Sequence, residues 1–157
     1  MILCCDQPHK YWFEQIYWPF SINSPHNSKH LFDIYSLTHI FWLLLLSIIC
    51  KNLFYNKTIP ITLLIITSTL FELYENSNDQ IIKYNRIEVN SMGESSYRGD
   101  SLINLIGDII SNLIGIYIAY EYSNNISIII LILLFLIITF VVGFSYWTDF
   151  LSFVLGT

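Results

Sequence analysis

The chain contains 157 residues, of which 54% are hydrophobic and only 12% are charged. A soluble domain carries about a quarter charged residues, so this composition excludes a secreted or cytosolic globular enzyme, and its apolar content excludes a disordered chain. Seven basic residues against twelve acidic ones give a formal net charge of −5, which excludes nucleic acid as a main partner. The composition therefore predicts an integral membrane protein.

The N-terminal residues 1–33 are predicted to form an arm outside the bilayer. Residues 11–20 read YWFEQIYWPF, with six aromatic side chains in ten positions. Aromatic residues concentrate at membrane interfaces, so this segment is expected to rest on the membrane or on a partner. The start, MILCC, lacks the basic residues and the long apolar stretch of a secretory signal. The three cysteines of the chain build no disulfide framework.

Four stretches are long and apolar enough to cross a bilayer, which takes about 20 residues of helix. Short links between the first and second span, and between the third and fourth, predict two antiparallel helix pairs. The last span ends on Phe144, Tyr146 and Trp147, which are expected to anchor it at the interface. The predicted fold class is all-α, a polytopic membrane protein with an interfacial aromatic N-terminal arm and a four-helix transmembrane domain at 34–157. Its spans are predicted at about 34–54, 59–75, 101–122 and 126–147.

The distribution of basic residues predicts the orientation in the membrane. With four spans, both termini and the loop at 76–99 share one side. Five basic residues lie on that side and two on the other, namely Lys10, Lys29, Lys83, Arg86 and Arg98 against Lys51 and Lys57. The protein is therefore expected to be N-in and C-in.

Polar and ionisable residues concentrate at one end of the spans. Because the helices alternate in direction, these residues are predicted to lie at the same depth near one membrane face. Asp100, Asn104 and Asp108 are spaced by four and share one helix face, and an acid inside a membrane almost always turns towards partners or water. The predicted cluster comprises His30, Asp33, His39, Glu72, Glu75, Asn76, Arg86, Arg98, Asp100, Ser101, Asn104 and Asp108.

Gly107, Ser111 and Gly115 form a row of small residues along the third span, beside the polar face. Rows of this kind let another helix approach closely. The third span is therefore expected to lie inside the bundle.

One interpretation of the cluster is structural. Ser101 or Asp100 can cap the third span, since a helix N-terminus favours a short polar or acidic side chain. The acids can pair with Arg86, Arg98 and His39, and arginine binds a carboxylate through two parallel hydrogen bonds. On this view the cluster braces the helices.

Three functional interpretations use the same residues. Carboxylates with His39 can hold a divalent cation, but the chain has no HExxH motif and no Cys/His spacing, so neither a metal nor a cofactor is predicted. Arg86 and Arg98 can hold a lipid phosphate, with an Asp, Glu or His as base. Glu72, Asp108 and His39 can exchange protons, although acids at one face make no continuous path across the bilayer. Whether the protein is an enzyme stays open.

Three separated blocks resemble an uncharacterised family of small membrane proteins, mostly alphaproteobacterial, with an ENS…GDS signature. They read HxxDxYSxxH at 30–39, ExxENS at 72–77 and YxGDSxxNxxGD at 97–108. The resemblance covers about 29–119 of this chain, and the loop at 83–96 is longer than in that family. It implies a four-span fold with a polar site and no particular reaction. The VanZ-like membrane proteins are a looser match, through the order of Glu72, Arg86, Asp100, Asn104 and Gly107.

The first functional hypothesis is a non-catalytic integral subunit of a larger membrane complex, with other membrane subunits as partners and the polar cluster bracing the helices. The chain is rich in Ile, Asn, Tyr, Phe and Ser, whose codons are mostly AT-rich, so a mitochondrial inner membrane is expected, with a bacterial inner membrane as the alternative. The second hypothesis is a VanZ-like protein that binds or modifies a phospholipid headgroup at the inner leaflet. There Arg86 and Arg98 would neutralise the phosphate.

Overall fold

The computed structural model describes residues 28–87, 98–143 and 147, with only the backbone described at 84–87. Most of the predicted aromatic arm, at 1–27, lies outside the described residues, as do Phe144 and Tyr146. The described chain forms five helices, α1 (Ser36–Leu53), α2 (Thr58–Glu75), α3 (Asn78–Ile87), α4 (Leu102–Glu121) and α5 (Asn124–Val142).

Four of these helices, α1, α2, α4 and α5, are long and apolar enough to cross a membrane. The predicted all-α fold with four membrane-spanning helices is therefore confirmed. Pro60 lies in the first turn of α2, where its missing N–H removes no helix hydrogen bond. The fourth span is shorter than predicted, because α5 ends at Gly143, whose φ of 96° is open to glycine at no steric cost.

The short helix α3 lies in the segment that the sequence analysis placed outside the bilayer. Its ten residues are largely polar and begin with Asn78 and Asp79. An acid in the first turn suits the positive end of the helix dipole. No helix was predicted here, because ten mostly polar residues are a short window in which to recognise a helical period.

The centre of the bundle is formed by α1 and α4, which make the most extensive helix contact. Both run in the same direction. Near their N-termini, the Ser36 hydroxyl donates to Asp108 Oδ1 at 3.3 Å. Near their C-termini, Lys51 Nζ donates to the carbonyls of Ala119 (2.7 Å) and Tyr122 (2.8 Å). α2 and α5 flank this pair in the opposite direction. The sequential helices are thus antiparallel as expected, but the main packing joins two parallel helices.

Glycine allows the close approach of α4 to the chain around α1. A Cβ on Gly107 would lie 1.5 Å from the carbonyl oxygen of Leu31, and one on Gly115 would lie 2.6 Å from that of Ile40. Ser111, between the two glycines, is fully buried. The row of small residues therefore faces α1 and the residues that precede it.

An aromatic core lies between α1 and α5. Trp147 packs against Phe41, Trp42 and Phe135, with ring centroids 5.1, 6.0 and 4.8 Å away. The indole N–H donates to Thr139 Oγ1 at 2.8 Å, which supplies the partner that a buried tryptophan needs. The prediction of an interfacial anchor is wrong for Trp147, which is 8% exposed.

Candidate functional site

Most of the predicted cluster gathers at one end of the bundle, where α1 and α4 begin and α2 ends. Arg98 is exposed, and the side chain of Arg86, in the last turn of α3, lies outside the described residues. Glu75 is half-buried and His39 is 14% exposed at its side chain. The buried members are His30, Asp33, Glu72, Asn76, Asp100, Ser101, Asn104 and Asp108.

Asp33 begins α1. Its Oδ1 accepts hydrogen bonds from the backbone N–H of Tyr35 (2.8 Å) and of Ser36 (3.3 Å), while the Ser36 hydroxyl accepts from the N–H of Asp33 (3.2 Å). This reciprocal pair resembles a capping box. Because Asp33 Oδ2 accepts from the N–H of Ser28 at 2.8 Å, both carboxylate oxygens are engaged by backbone groups.

The segment 28–31 packs over the N-terminus of α4, although the sequence analysis assigned it to the extramembrane arm. Ser101 caps α4 by accepting from the N–H of Asn104 (3.2 Å), and its own N–H donates to the carbonyl of Ser28 (2.7 Å). The Asn104 amide donates to the carbonyl of His30 at 2.9 Å. His30 and Asp33 are consequently among the most buried residues described.

Asn76 and Asp100 form a reciprocal pair that joins the end of α2 to the start of α4. The Asn76 amide donates to Asp100 Oδ2 at 2.8 Å, and the backbone N–H of Asp100 donates to Asn76 Oδ1 at 2.7 Å. Burial raises the pKa of the Asp100 carboxyl, and the hydrogen bonds from Asn76 and Ser28 oppose that rise. The Asn76 amide is therefore one of the donors that hold this buried carboxyl in place.

His39 connects three helices. Its Nδ1 lies 3.1 Å from Glu72 Oε1 on α2, and its Nε2 lies 3.8 Å from Asp108 Oδ1 on α4. The Asn112 amide donates to the same Glu72 Oε1 at 2.7 Å. The imidazole is therefore held between two carboxylates at the centre of the bundle.

Two of these contacts involve residues that the predicted cluster omits. Asn112 extends the stripe of Asp100, Asn104 and Asp108 by a further four residues, and it interrupts an apolar run, so the same spacing rule could have found it. Ser36 could have been found as the third residue after Asp33, the spacing of a capping box.

The predicted pairing of acids with His39 is found, since its ring nitrogens lie 3.1 Å from Glu72 Oε1 and 3.8 Å from Asp108 Oδ1. The side chain of Arg86, another predicted partner, lies outside the described residues. Arg98 is exposed, so the buried carboxylates rely instead on amides, hydroxyls, backbone N–H groups and one imidazole. Acidic charge in the network therefore exceeds basic charge among the residues whose side chains are described.

Glu75 completes a group that offers ligand atoms for a cation. One ligand atom each from His39, Glu72 and Glu75 lie within 4.8 Å of one another. Glu72 Oε2 and Asn112 Oδ1 are buried and accept no hydrogen bond from the described residues.

Comparison with known proteins places the chain in a family but assigns no reaction. No curated protein matches, and no solved structure matches. The model of a family described as "Protein of unknown function (DUF2585)" matches residues 13–150, a range that includes all five helices and the polar network. The chain therefore belongs to this family of proteins of unknown function, DUF2585.

Proposed function

We propose that the chain is a non-catalytic integral subunit of a larger membrane assembly and that its buried polar network braces the helices. The supporting observation is that the carboxylates are engaged within the chain. Asp33 accepts from backbone N–H groups, Asp100 is paired with Asn76, and Glu72 accepts from Asn112 beside His39. Polar networks that join several helices favour one arrangement of those helices.

The outer faces of α2 and α5 are the proposed contact surfaces for other subunits and lipid. Both helices expose rows of large apolar side chains, including Leu70 at 57% and Phe140 at 91%. Without an aqueous driving force, neighbouring membrane helices associate through packing of such faces. The predicted aromatic arm would add a further contact.

The brace is tested by removing an acceptor at its centre. Asp108→Ala leaves the Ser36 hydroxyl and His39 without this partner, so we expect a loss of about 1–3 kcal/mol in the free energy of unfolding. Asp108→Asn keeps an acceptor for Ser36 and should lose less. Arg98→Ala, on an exposed side chain, should change stability by less than about 0.5 kcal/mol. Thermal unfolding in detergent gives the comparison, and an unchanged midpoint for Asp108→Ala would contradict the brace.

The assembly is tested separately from the brace. The tagged chain in mild detergent should migrate on native gels as a complex larger than the monomer, and co-purifying membrane proteins should identify the neighbours. A stable lone monomer from its own membranes would remove the subunit proposal while leaving the brace in place.

The proposed location is a mitochondrial or bacterial inner membrane, with the polar end of the bundle facing inward. Lys29 and Arg98 lie at the polar end, and Lys51 binds carbonyls at the opposite end. Basic residues favour the inner side. The larger share of the basic residues thus supports N-in.

Orientation has a direct measurement. In a cysteine-free background, Asn125→Cys, at an exposed position in the first turn of α5, should react with an impermeant maleimide added outside intact vesicles. Asp79→Cys, exposed in α3, should react only after permeabilisation. The reverse labelling pattern would show that the polar end faces outward.

The alternative proposal is VanZ-like binding of a phospholipid headgroup at the same end. Its support is the exposed guanidinium of Arg98 close to the buried cluster. Against it, four of the eight buried members of the cluster are carboxylates, which repel phosphate. Arg98→Ala should then lower the amount of anionic phospholipid seen by lipid mass spectrometry of the purified protein, while unchanged lipid content would remove this alternative.

A further inference from the structure

A group of three possible metal ligands, His39, Glu72 and Glu75, lies inside the network between α1 and the last turn of α2. Glu72 and Glu75 are three residues apart and therefore share one helix face, and His39 faces them from α1. One ligand atom from each residue lies within 4.8 Å of the other two. The two glutamates come from the part of α2 that packs nearest His39, whose Nδ1 is 3.1 Å from Glu72 Oε1.

Glu72 provides an observation that a brace does not explain. Its Oε1 already has two neighbours, the Asn112 amide and His39 Nδ1. Its Oε2 is buried and accepts no hydrogen bond within the described part of the chain. A buried carboxylate oxygen without a partner carries a large desolvation cost, so this oxygen is suited to a ligand.

His39 is oriented as metal-binding histidines usually are. Nδ1 faces Glu72, and Nε2 faces Asp108 Oδ1 at 3.8 Å. A histidine that binds a metal through one nitrogen commonly directs the other N–H to a carboxylate, which fixes the ring and raises its basicity. Asp108 Oδ1 lies on the Nε2 side of the ring, beyond hydrogen-bond distance at 3.8 Å, and it accepts a hydrogen bond from the Ser36 hydroxyl.

The charge of the surroundings also favours a cation. Three carboxylates, those of Glu72, Glu75 and Asp108, lie around one imidazole, and Arg98 is exposed. Carboxylate oxygens and an imidazole nitrogen are ligands that a divalent cation accepts.

We infer that His39, Glu72 and Glu75 bind one divalent transition-metal ion, with zinc the first candidate. One imidazole nitrogen and two carboxylate oxygens are ordinary zinc ligands, and three protein ligands leave a fourth position for water. This inference goes beyond the brace, because it assigns a ligand to the site and a metal link between α1 and α2.

The geometry requires a small contraction on binding. Metal–ligand distances of about 2.0–2.2 Å in a tetrahedral site place the ligand atoms about 3.4 Å apart. The largest separation here is within 4.8 Å, so the ligand atoms must move together by about an ångström. Glu75 is the suitable side chain to move, since it is half-buried in the last turn of α2.

The test is metal binding by the full chain in detergent. After removal of bound metal with a chelator, Zn²⁺ and Co²⁺ are added separately, and bound metal is measured by mass spectrometry after dialysis. We expect one zinc per chain, and Co²⁺ should show the visible d–d bands of a tetrahedral site. Glu75→Gln and His39→Gln should lose binding, and Asp108→Asn should weaken it by about 10–100-fold.

Asp79→Asn is the matched control, because Asp79 is an exposed acid four residues beyond Glu75 and should bind as the wild type does. Thermal unfolding of each metal-free sample shows whether a variant is folded. Absence of stoichiometric metal on the wild-type chain, or equal binding by Glu75→Gln and His39→Gln, overturns the inference. Destabilisation of metal-free Asp108→Ala would still support the brace in that event.

Discussion

Gly107→Ala is expected to unfold the protein or to lower its free energy of unfolding by about 3 kcal/mol or more. The added Cβ would lie 1.5 Å from the carbonyl oxygen of Leu31. That oxygen belongs to the backbone and cannot rotate away, so α4 must separate from the segment before α1. Overpacking costs typically about 1–3 kcal/mol and occasionally more. At an exposed helix position, replacing glycine by alanine would raise the free energy of unfolding by about 1 kcal/mol. The sign of the measured change therefore shows whether α4 packs closely here.

Two further substitutions in α4 show whether the effect of Gly107→Ala comes from close helix packing or from added side-chain volume in general. Gly115→Ala should be destabilising but milder, because its Cβ would lie 2.6 Å from the carbonyl oxygen of Ile40. Leu113→Phe adds bulk on the exposed face of α4 and should leave the midpoint nearly unchanged. Thermal unfolding followed by circular dichroism in detergent ranks the three. A midpoint for Gly107→Ala at or above the wild-type value would show that α4 does not pack this closely.

Asn76→Leu is expected to give the second large effect, a loss of about 2–5 kcal/mol in the free energy of unfolding. The substitution removes the donor to Asp100 Oδ2 and the acceptor of the Asp100 N–H. Both groups are buried, so neither regains a partner from bulk water. Breaking one side of a buried polar pair costs more than the pair contributes when intact.

The same variant should change the dependence of stability on pH. Because burial raises the pKa of Asp100 in the folded protein, the folded state retains a proton that the unfolded chain has already lost. The stabilisation that this proton gives the folded state is fully present at pH values below the ordinary carboxyl pKa. It is lost as the pH rises through the pKa of Asp100 in the folded protein. Loss of the Asn76 hydrogen bond, which opposes this rise, raises the pKa of Asp100 further. The stabilisation is then lost over a range that extends to higher pH. The difference in free energy of unfolding between Asn76→Leu and the wild type should therefore be smaller at about pH 5 than at about pH 8.

Two further variants make this result specific. Asn78→Leu, at an exposed neighbouring position, should melt like the wild type. Combining Asn76→Leu with Asp100→Leu should recover part of the loss, because the second substitution removes the buried carboxyl that has lost its Asn76 donor. A gap that is the same at both pH values would show that Asp100 does not depend on Asn76.

Much of the fold could be predicted because membrane insertion depends on local sequence. A run of about 20 apolar residues is sufficient to indicate a span, and α1, α2 and α4 begin and end within about two residues of the predicted limits. The shared depth of the polar residues follows from alternating helix directions. α5 differs most, since the apolar pattern continues past Gly143 while the helix stops there.

Partner choice within the cluster could not be predicted in the same way. Four-residue spacing places Asp100, Asn104 and Asp108 on one face, but it does not show which residue of another helix lies opposite. The structure pairs Asp100 with Asn76 and places His39 beside Asp108. Charge complementarity alone could not choose among Arg86, Arg98 and His39 as partners of the acids. Spacing operates within one helix, and these contacts join residues far apart in the chain.

By itself, the sequence determined that the chain is a membrane protein with four helical spans and a polar cluster at one end, because composition and periodicity are properties of neighbouring residues. Only the tertiary structure decided that the parallel pair α1 and α4 forms the centre, that segment 28–31 belongs to the bundle, and that Trp147 is buried. These features depend on which helix faces fit together. That fit is set by contacts such as Gly107 against Leu31, between residues separated by more than half of the described chain.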